Sequence, residues 1–341
     1  MDNQPQPLHD YLLRYYRENL PEIANPQVSD LTAISDGWET EVYTYTLRQD
    51  GQPPQALILR MYPGQNSVGK SAHEFGVMRQ LHAQGYMVPE VFHHCADARW
   101  LGKPFVIMER IHGRPLGQLM QEQPQDVMQH ITRFCEMFVQ LHRLDSAPFV
   151  AFGQQPQTAA EFLPRKLAAL RHAMLDRFGQ RWTLPVLDWL DKQAATVQPA
   201  PLSVLHNDFH PFNLLLTPDD RLYVIDWGSL EVGDYRADLA WTLLLSSIHG
   251  DQAYYDLLLA EYDRVAGAAS EQMGFFDTLA ALRRLFGMVV SVSQGGESLG
   301  MRPEAAQIIR QQAEHLHKVH ALLEDRTGLP LPEARSVIAA L

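Results

Sequence analysis

Two short stretches hold side chains that could do chemistry together. The first is Leu205-His206-Asn207-Asp208-Phe209-His210-Pro211-Phe212-Asn213. The second begins ten residues past Asn213 and reads Tyr223-Val224-Ile225-Asp226-Trp227-Gly228. Asp208 and Asn213 are five positions apart with Pro211 between them, which excludes a helix interior and predicts a loop. Leu214–Leu216 then reads as a strand, Pro218-Asp219-Asp220 as a turn and Leu222–Ile225 as a returning strand, a hairpin that brings Asp226 back beside Asn213. An amide oxygen and a carboxylate are hard ligands suited to magnesium, which keeps waters and binds substrate phosphates. Asp208 is left to accept a proton from a hydroxyl. Phosphoryl transfer needs little beyond this set and correct positioning. Taken singly, a His-x-Asp or an Asp-Trp-Gly is often no more than an Asx turn; the two in order, joined by a hairpin-length apolar pair, weigh against chance.

The rest of the chain has to position these groups. Residues 8–20 carry Leu8, Tyr11, Leu12, Tyr15 and Tyr16 at helical spacing, stopped by Pro21. From 30 to 62 the period changes to two, with strands at Leu31–Ile34, Glu41–Leu47 and Ala56–Tyr62 and a turn over Ser35–Thr40. Ser71–Gly85 is helical, with Gly85 as its stop. Val88–His94 and Phe105–Glu109 are two more strands, and residues 110–117, with Gly113, Pro115 and Gly117, form a linker. Beyond it the chain is mainly helical: 126–144, 160–178, 183–196, 236–248, 251–266, 271–293, 302–325 and 331–340, interrupted by short strands near 203–205, 214–217 and 221–226. Two domains are expected, 1–110 and 111–341, a division that the length of 341 residues also favours.

Composition narrows the function. With 46% hydrophobic and 20% charged residues the chain is globular. A formal charge of -12, from 40 acids against 28 bases, argues against a partner held by nucleic-acid phosphates. The two cysteines, Cys95 and Cys135, make neither a disulfide framework nor a zinc motif and read as buried thiols in a reducing compartment. The start lacks a signal-peptide apolar region, and no apolar run approaches the ~20 residues that span a bilayer. The expectation is a cytoplasmic protein with no membrane or nucleic-acid partner.

His206-Asn207-Asp208-x-x-x-x-Asn213 resembles the kinase catalytic loop, and Asp226-Trp227-Gly228 resembles the Asp-Phe-Gly metal motif. His-x-Asp-x-His-Pro-x-Asn followed by Ile-Asp-Trp-Gly is similar to the aminoglycoside phosphotransferase family and its choline-kinase-like relatives, as is Gly233-Asp234-Tyr235-Arg236-Ala237-Asp238-Leu239-Ala240. The resemblance runs from about residue 30 to about 250. It implies an α+β, bilobal, protein-kinase-like fold, in which an N-terminal antiparallel sheet with one inserted helix precedes a larger, mainly helical lobe. It also implies a small-molecule kinase that moves the γ-phosphoryl of ATP or GTP, with Mg2+, to a hydroxyl acceptor.

By that resemblance Asp208 matches the catalytic base, Asn213 and Asp226 the magnesium ligands, and His206 and Asp238 the braces of the loop. His210 stands where protein kinases carry a lysine, and either contacts phosphate or shapes the loop. Leu215 and Ile225 match the floor of an adenine pocket or are plain core. Leu57-Ile58-Leu59-Arg60 takes the place of Val-Ala-Ile-Lys, with Ile58 on the roof of the cleft and Arg60 as phosphate cation, Lys70 being a rival. Glu74 is either the partner of Arg60 or, with Ser71, a capping box. Thr40 matches the hydroxyl of a phosphate loop with a single glycine, Gly37. Met108, Glu109 and Ile111 match the adenine-binding linker. Asp234, Glu231, Trp227, Tyr235 and Trp241 are near enough in sequence to line an acceptor pocket, where the acids would suit an amine-bearing acceptor (aminoglycoside-like, choline-like or an amino alcohol) or are simply a solvated surface. The competing class is a non-catalytic nucleotide-binding module of the same fold. A protein kinase is disfavoured, because the eleven residues between Asp226 and Asp238 are too few for a peptide-docking activation loop.

Overall fold

The computed structural model describes residues 5–34, 40–153, 155–249, 252–299, 307 and 313–340. The expected turn at 35–39, with Gly37, and part of the expected helix 302–325 lie outside them. In chain order the elements are α1 (Pro5–Asn19), β1 (Gln27–Ile34), β2 (Glu41–Arg48), β3 (Gln55–Met61), α2 (Ser67–Ala83), β4 (Val91–Cys95), β5 (Phe105–Glu109), β6 (Arg114–Pro115), α3 (Leu116–Glu122), α4 (Val127–His142), α5 (Ala159–Arg171), α6 (Leu184–Ala194), β7 (Leu202–Leu205), β8 (Leu214–Leu216), β9 (Leu222–Val224), β10 (Glu231–Asp234), α7 (Tyr235–His249), α8 (Gln252–Ala266), α9 (Met273–Gln294), α10 (Ala313–Thr327) and α11 (Pro332–Ala339). Contacts divide the chain into two compact units. Met1–Gly113 and Leu215–Gly228 form one, and Arg114–Leu214 and Ser229–Leu341 the other. The β8–β9 hairpin thus groups largely with the N-terminal sheet.

In the first unit five antiparallel strands run in the order β1-β2-β3-β5-β4. Alternation on β3 buries Leu57, Leu59 and Met61 and leaves Ile58 and Arg60 half-buried. The buried face packs on Leu12, Tyr15 and Tyr16 of α1, together with Leu47, Phe105 and Ile107. Strand β1 is longer than its periodicity suggests, because a bulge between Ser29 and Thr32, with Asp30 at φ 57°, resets the alternation. Strand β4 starts three residues later than expected; Pro89 has no N–H for a ladder bond.

Helix α2 starts at Ser67, not Ser71. Ser71 therefore lies in the second turn, where its hydroxyl donates to the Val68 carbonyl at 3.1 Å, and the Ser71/Glu74 capping-box alternative is overturned. At the far end Gly85 adopts φ 74° and closes the helix, its N–H donating to the His82 carbonyl at 2.9 Å. The hairpin joins this unit through the Val224 N–H on the Met87 carbonyl, 2.9 Å, and through Trp227, which meets Tyr86 edge-on at 5.7 Å.

In the second unit, α4 buries Ile131, Phe134, Phe138 and Leu141 on one face, as its helical spacing requires. The expected linker 110–117 is shorter than anticipated, since α3 begins at Leu116. A Cβ at Gly117 would lie 2.7 Å from the Phe212 ring, so the glycine permits that close approach. β10 has no counterpart in the sequence reading; it pairs antiparallel with β7, Val232 opposite Val204. Cys135 is buried, whereas Cys95 is only half-buried; both are free thiols. No helix among the described residues is long and apolar enough to cross a membrane.

Candidate active site

The second unit carries the loop from His206 to Asn213. Its shape is set by Asp238, in the first turn of α7 and fully buried. The Asp238 carboxylate accepts the backbone N–H of His206 at 2.6 Å and that of Asn207 at 2.8 Å. His142 Nε2 lies 3.4 Å from the same carboxylate, and His142 Nδ1 is 2.7 Å from the Tyr262 hydroxyl. Asn207 takes the left-handed backbone conformation, φ 63°, which an Asn tolerates better than most residues, and its side-chain amide donates to the Ser229 carbonyl at 3.0 Å. The reversal sends neighbouring side chains in opposite directions. Phe209 enters the core, stacked on Phe138 with ring centroids 4.1 Å apart. The Asp208 side chain stays 41% exposed.

Asp208 is held from two sides. Trp241 Nε1 donates to its Oδ1 at 3.4 Å, and His210 Nε2 is 3.6 Å from its Oδ2. Burial alone would raise the carboxyl pKa. The hydrogen bond and charge of His210, the charge of His206 and the Trp241 indole outweigh it and bring the pKa down to about 2. Pro211–Asn213 forms a single 3-10 turn. Asn213 is buried, and its side-chain N–H donates to the Asp208 carbonyl at 3.0 Å, which leaves the amide oxygen as its other polar atom. On β8 Leu214 is fully buried and Leu215 half-buried.

In the first unit β3, α2 and the end of the hairpin bring together Arg60, Glu74 and Asp226. Arg60 Nη1 is 3.1 Å from Glu74 Oε1, and its Nη2 is 2.7 Å from Asp226 Oδ1. Burial would weaken the guanidinium's hold on its proton, but the carboxylates of Glu74 and Asp226 more than offset this and raise its pKa. Tyr62, read from sequence only as the end of a strand, donates its hydroxyl to Glu74 Oε2 at 2.6 Å. Asp226 lies past the end of β9 at φ 69°, half exposed. Arg60→Met removes one partner of the buried Arg60–Glu74 pair and should cost about 3 kcal/mol in denaturant unfolding; unchanged stability would show that the pair contributes nothing net.

The remaining sequence candidates fall into place unevenly. Ile58, opposite Met108 of β5, is half-buried, as are Glu109, Ile111, Leu215 and Ile225, while Met108 is buried. Thr40 is buried. Asn213 belongs to the second unit and Asp226 to the first. The residues placed near an acceptor by sequence are mostly engaged elsewhere. Trp227 is fully buried, with Nε1 on the Val224 carbonyl at 3.0 Å. Asp234 is buried against Arg236, which donates Nε at 2.9 Å and Nη2 at 2.6 Å. Glu231 is paired with Lys166. Tyr235 stacks on Tyr262, centroids 6.1 Å apart. Trp241 reaches Asp208 through its indole N–H.

Among the described residues no group of three or more His, Cys, Asp or Glu side chains is placed to hold a metal ion. Asp226, in the first unit, has a half-exposed carboxylate, and Asn213, in the second, has an amide oxygen besides the nitrogen engaged by the Asp208 carbonyl; both are hard oxygen donors.

Comparison with known proteins follows the same lines. The chain is 27% identical over 204 residues to acyl-CoA dehydrogenase family member 10 of Mus musculus, a match covering 55% of this chain and 18% of that protein. It therefore spans only about a fifth of that relative's length. A choline/ethanolamine kinase family protein from Mesorhizobium loti has a similar crystal structure, with TM-score 0.58, 16% identity and 98% of each chain covered. So does a thermostable mutant of aminoglycoside phosphotransferase APH(4)-Ia solved as a ternary complex with ADP and hygromycin B, with TM-score 0.59, 15% identity and again 98% of each chain covered. At these identities the likeness shows the fold, which is the kinase-like fold of aminoglycoside phosphotransferases. The model of the phosphotransferase enzyme family matches residues 30–276, and the chain belongs to that family.

Proposed function

We propose that this chain transfers the γ-phosphoryl group of ATP or GTP to a hydroxyl of a small molecule. The observation that carries the reading is Asp208: an ionised, half-exposed carboxylate on a loop whose backbone is clamped by a buried aspartate. A group so placed can orient an acceptor hydroxyl and take its proton as the oxygen attacks the γ-phosphorus. The bond from that phosphorus to the β–γ bridging oxygen breaks, and the nucleoside diphosphate leaves with the electron pair. Asn213 and Asp226 would hold magnesium, which when bound would neutralise phosphate charge. Arg60, fixed by Glu74, would bind the α/β-phosphates; a guanidinium can do so through two parallel N–H bonds. His206 supplies a clamped backbone N–H, and His210 would keep Asp208 ionised. Thr40 would contact phosphate, while Ile58, Met108, Glu109, Ile111, Leu215 and Ile225 would receive the base. Free thiols fit a reducing, cytoplasmic compartment.

The amine-bearing acceptor expected from sequence rested on Asp234 and Glu231, and both are neutralised by basic side chains. The nucleotide half is tested by Asp226→Ala, with titration calorimetry of ATP in the presence and absence of magnesium. The variant should lose magnesium-dependent binding, and retention of full affinity would overturn Asp226 as ligand. Magnesium-dependent binding in the native chain, with no consumption of ATP across a broad acceptor panel, would favour a non-catalytic nucleotide-binding module.

A further inference from the structure

Helix α9 carries adjacent arginines, Arg283 and Arg284, and neither has a carboxylate within ion-pair distance among the described residues. The Arg283 guanidinium carbon sits 4.1 Å from the centre of the Trp241 ring, and Trp241 is the residue whose indole N–H reaches Asp208. Arg283 Nη1 donates to Asn207 Oδ1 at 3.4 Å, a long bond to a neutral group. Arg284 Nε donates to His315 Nε2 at 3.2 Å. Desolvation lowers the pKa of both guanidinium groups; Glu231, Asp208 and Asp238 counter it only partly for Arg283.

The nearby acids are each taken up elsewhere: Glu231 by Lys166, Asp238 by two backbone amides, Asp208 by Trp241 and His210. Arg283 is half-buried; a guanidinium partly withdrawn from water without a counter-ion is costly, and an arginine in that state is suited to bidentate recognition of carboxylate or phosphate. Beside it is a recess of about 10 Å³ bordered by Lys166, Asn207, Trp241 and Arg283 and, on its apolar side, by Leu170, Ala237, Leu279 and Ala280, room for one oxygen of a larger group.

We propose that Arg283 binds an anionic group, carboxylate or phosphate, on the acceptor, so that the hydroxyl compound phosphorylated is an acid rather than an amine. The proposal rests on Asp208 as the proton acceptor: both residues meet Trp241, Asp208 at the indole N–H and Arg283 over the ring face, so that Arg283 would hold one end of an acceptor while Asp208 meets the hydroxyl at the other. Arg283 is then a specificity-determining residue and Trp241 the platform that positions it.

The test is ATP consumption by the full chain with acceptors matched except for one group. Glycerate, glycerol 3-phosphate, glycerol and 3-amino-1,2-propanediol form the short set, and six- and ten-carbon ω-hydroxy acids with their diols and amino alcohols the long one. The acids should show the lowest KM, and glycerate against glycerol 3-phosphate separates carboxylate from phosphate. Arg283→Gln should raise KM for the acids roughly ten- to hundredfold, the range for a lost charged hydrogen bond, while KM for alcohols and for ATP stays put. Arg283→Lys should recover part of the loss, and circular dichroism checks that each variant is folded. Preference for amines, or an Arg283→Gln effect indifferent to acceptor charge, overturns the proposal and leaves phosphoryl transfer standing. If no acceptor in the panel is turned over, anion binding is read from tryptophan fluorescence with inorganic phosphate and with glycerate, Trp241→Phe serving as blank. A signal lost in Arg283→Gln supports the site, and no anion-dependent signal in the native chain sinks it.

Discussion

Asp208→Ala should lower turnover by about three to four orders of magnitude, the range attributed to a positioned general base, with nucleotide affinity unchanged. The side chain is partly exposed and its removal uncovers little apolar core, so the fold should survive. Trp241 Nε1 and His210 each lose a weak partner at 3.4 Å and 3.6 Å. Asp208→Asn sharpens the test, because it keeps an oxygen for Trp241 and removes only the proton acceptor. Its turnover should fall nearly as far as that of the alanine variant. Since the carboxyl is held at about 2, it is ionised throughout the neutral range, and any acid limb of the turnover profile near neutrality belongs to another group. Turnover of Asp208→Ala within about tenfold of the native chain would remove Asp208 from the chemistry, since a general base is worth more than that.

The second large effect is on stability. Asp238→Ala takes the acceptor away from two buried backbone N–H groups, and each unsatisfied group costs about 1–3 kcal/mol. A loss of about 4 kcal/mol is expected in denaturant unfolding, a large fraction of the roughly 5–15 kcal/mol that folded chains have. His142 also loses the carboxylate 3.4 Å away, and with it part of the link from α7 to Tyr262 on α8. Asp238→Asn retains one acceptor oxygen but turns an NH2 toward a backbone N–H, so it should be intermediate. Turnover should fall in both, because the peptide units before Asp208 are no longer fixed. A native-like unfolding midpoint for Asp238→Ala would mean that the two amides find other partners and that the clamp is dispensable.

What could be read from the chain depended on how local the signal was. The strand alternation of Leu57-Ile58-Leu59-Arg60 and the stripe of Ile131, Phe134, Phe138 and Leu141 are one-element patterns, and both matched the structure. So did Gly85, whose left-handed conformation a helix stop requires. Boundaries failed where conformation is not a matter of period: the bulge at Asp30, the left-handed Asn66 that starts α2 four residues early, and the β10–β7 pairing, in which the partner strand is 26 residues away. At the candidate site, motif spacing pointed to Asp208, Asn213, Asp226 and Asp238. It could not point to Tyr62, whose hydroxyl meets a glutamate on the next element, nor to Arg283, 76 positions from Asn207. Those contacts come from packing, and neither side chain carries a periodic or motif signal of its own. Asp234 shows the reverse error: an acid that looks available in sequence is consumed by an arginine two residues on.

The grouping of Leu215–Gly228 with the N-terminal sheet bears on how the molecule comes off the ribosome. Residues 1–113 emerge with all five strands of their sheet but without the segment whose Val224 and Trp227 meet Met87 and Tyr86. That segment follows after about a hundred further residues of the other unit, several seconds of synthesis at ordinary elongation rates. During that interval Tyr86, almost wholly buried in the finished fold, has no Trp227 to meet it. The nascent N-terminal unit is thus an unfinished folding unit awaiting its own distant sequence, and the hairpin that ends in Asp226 completes it.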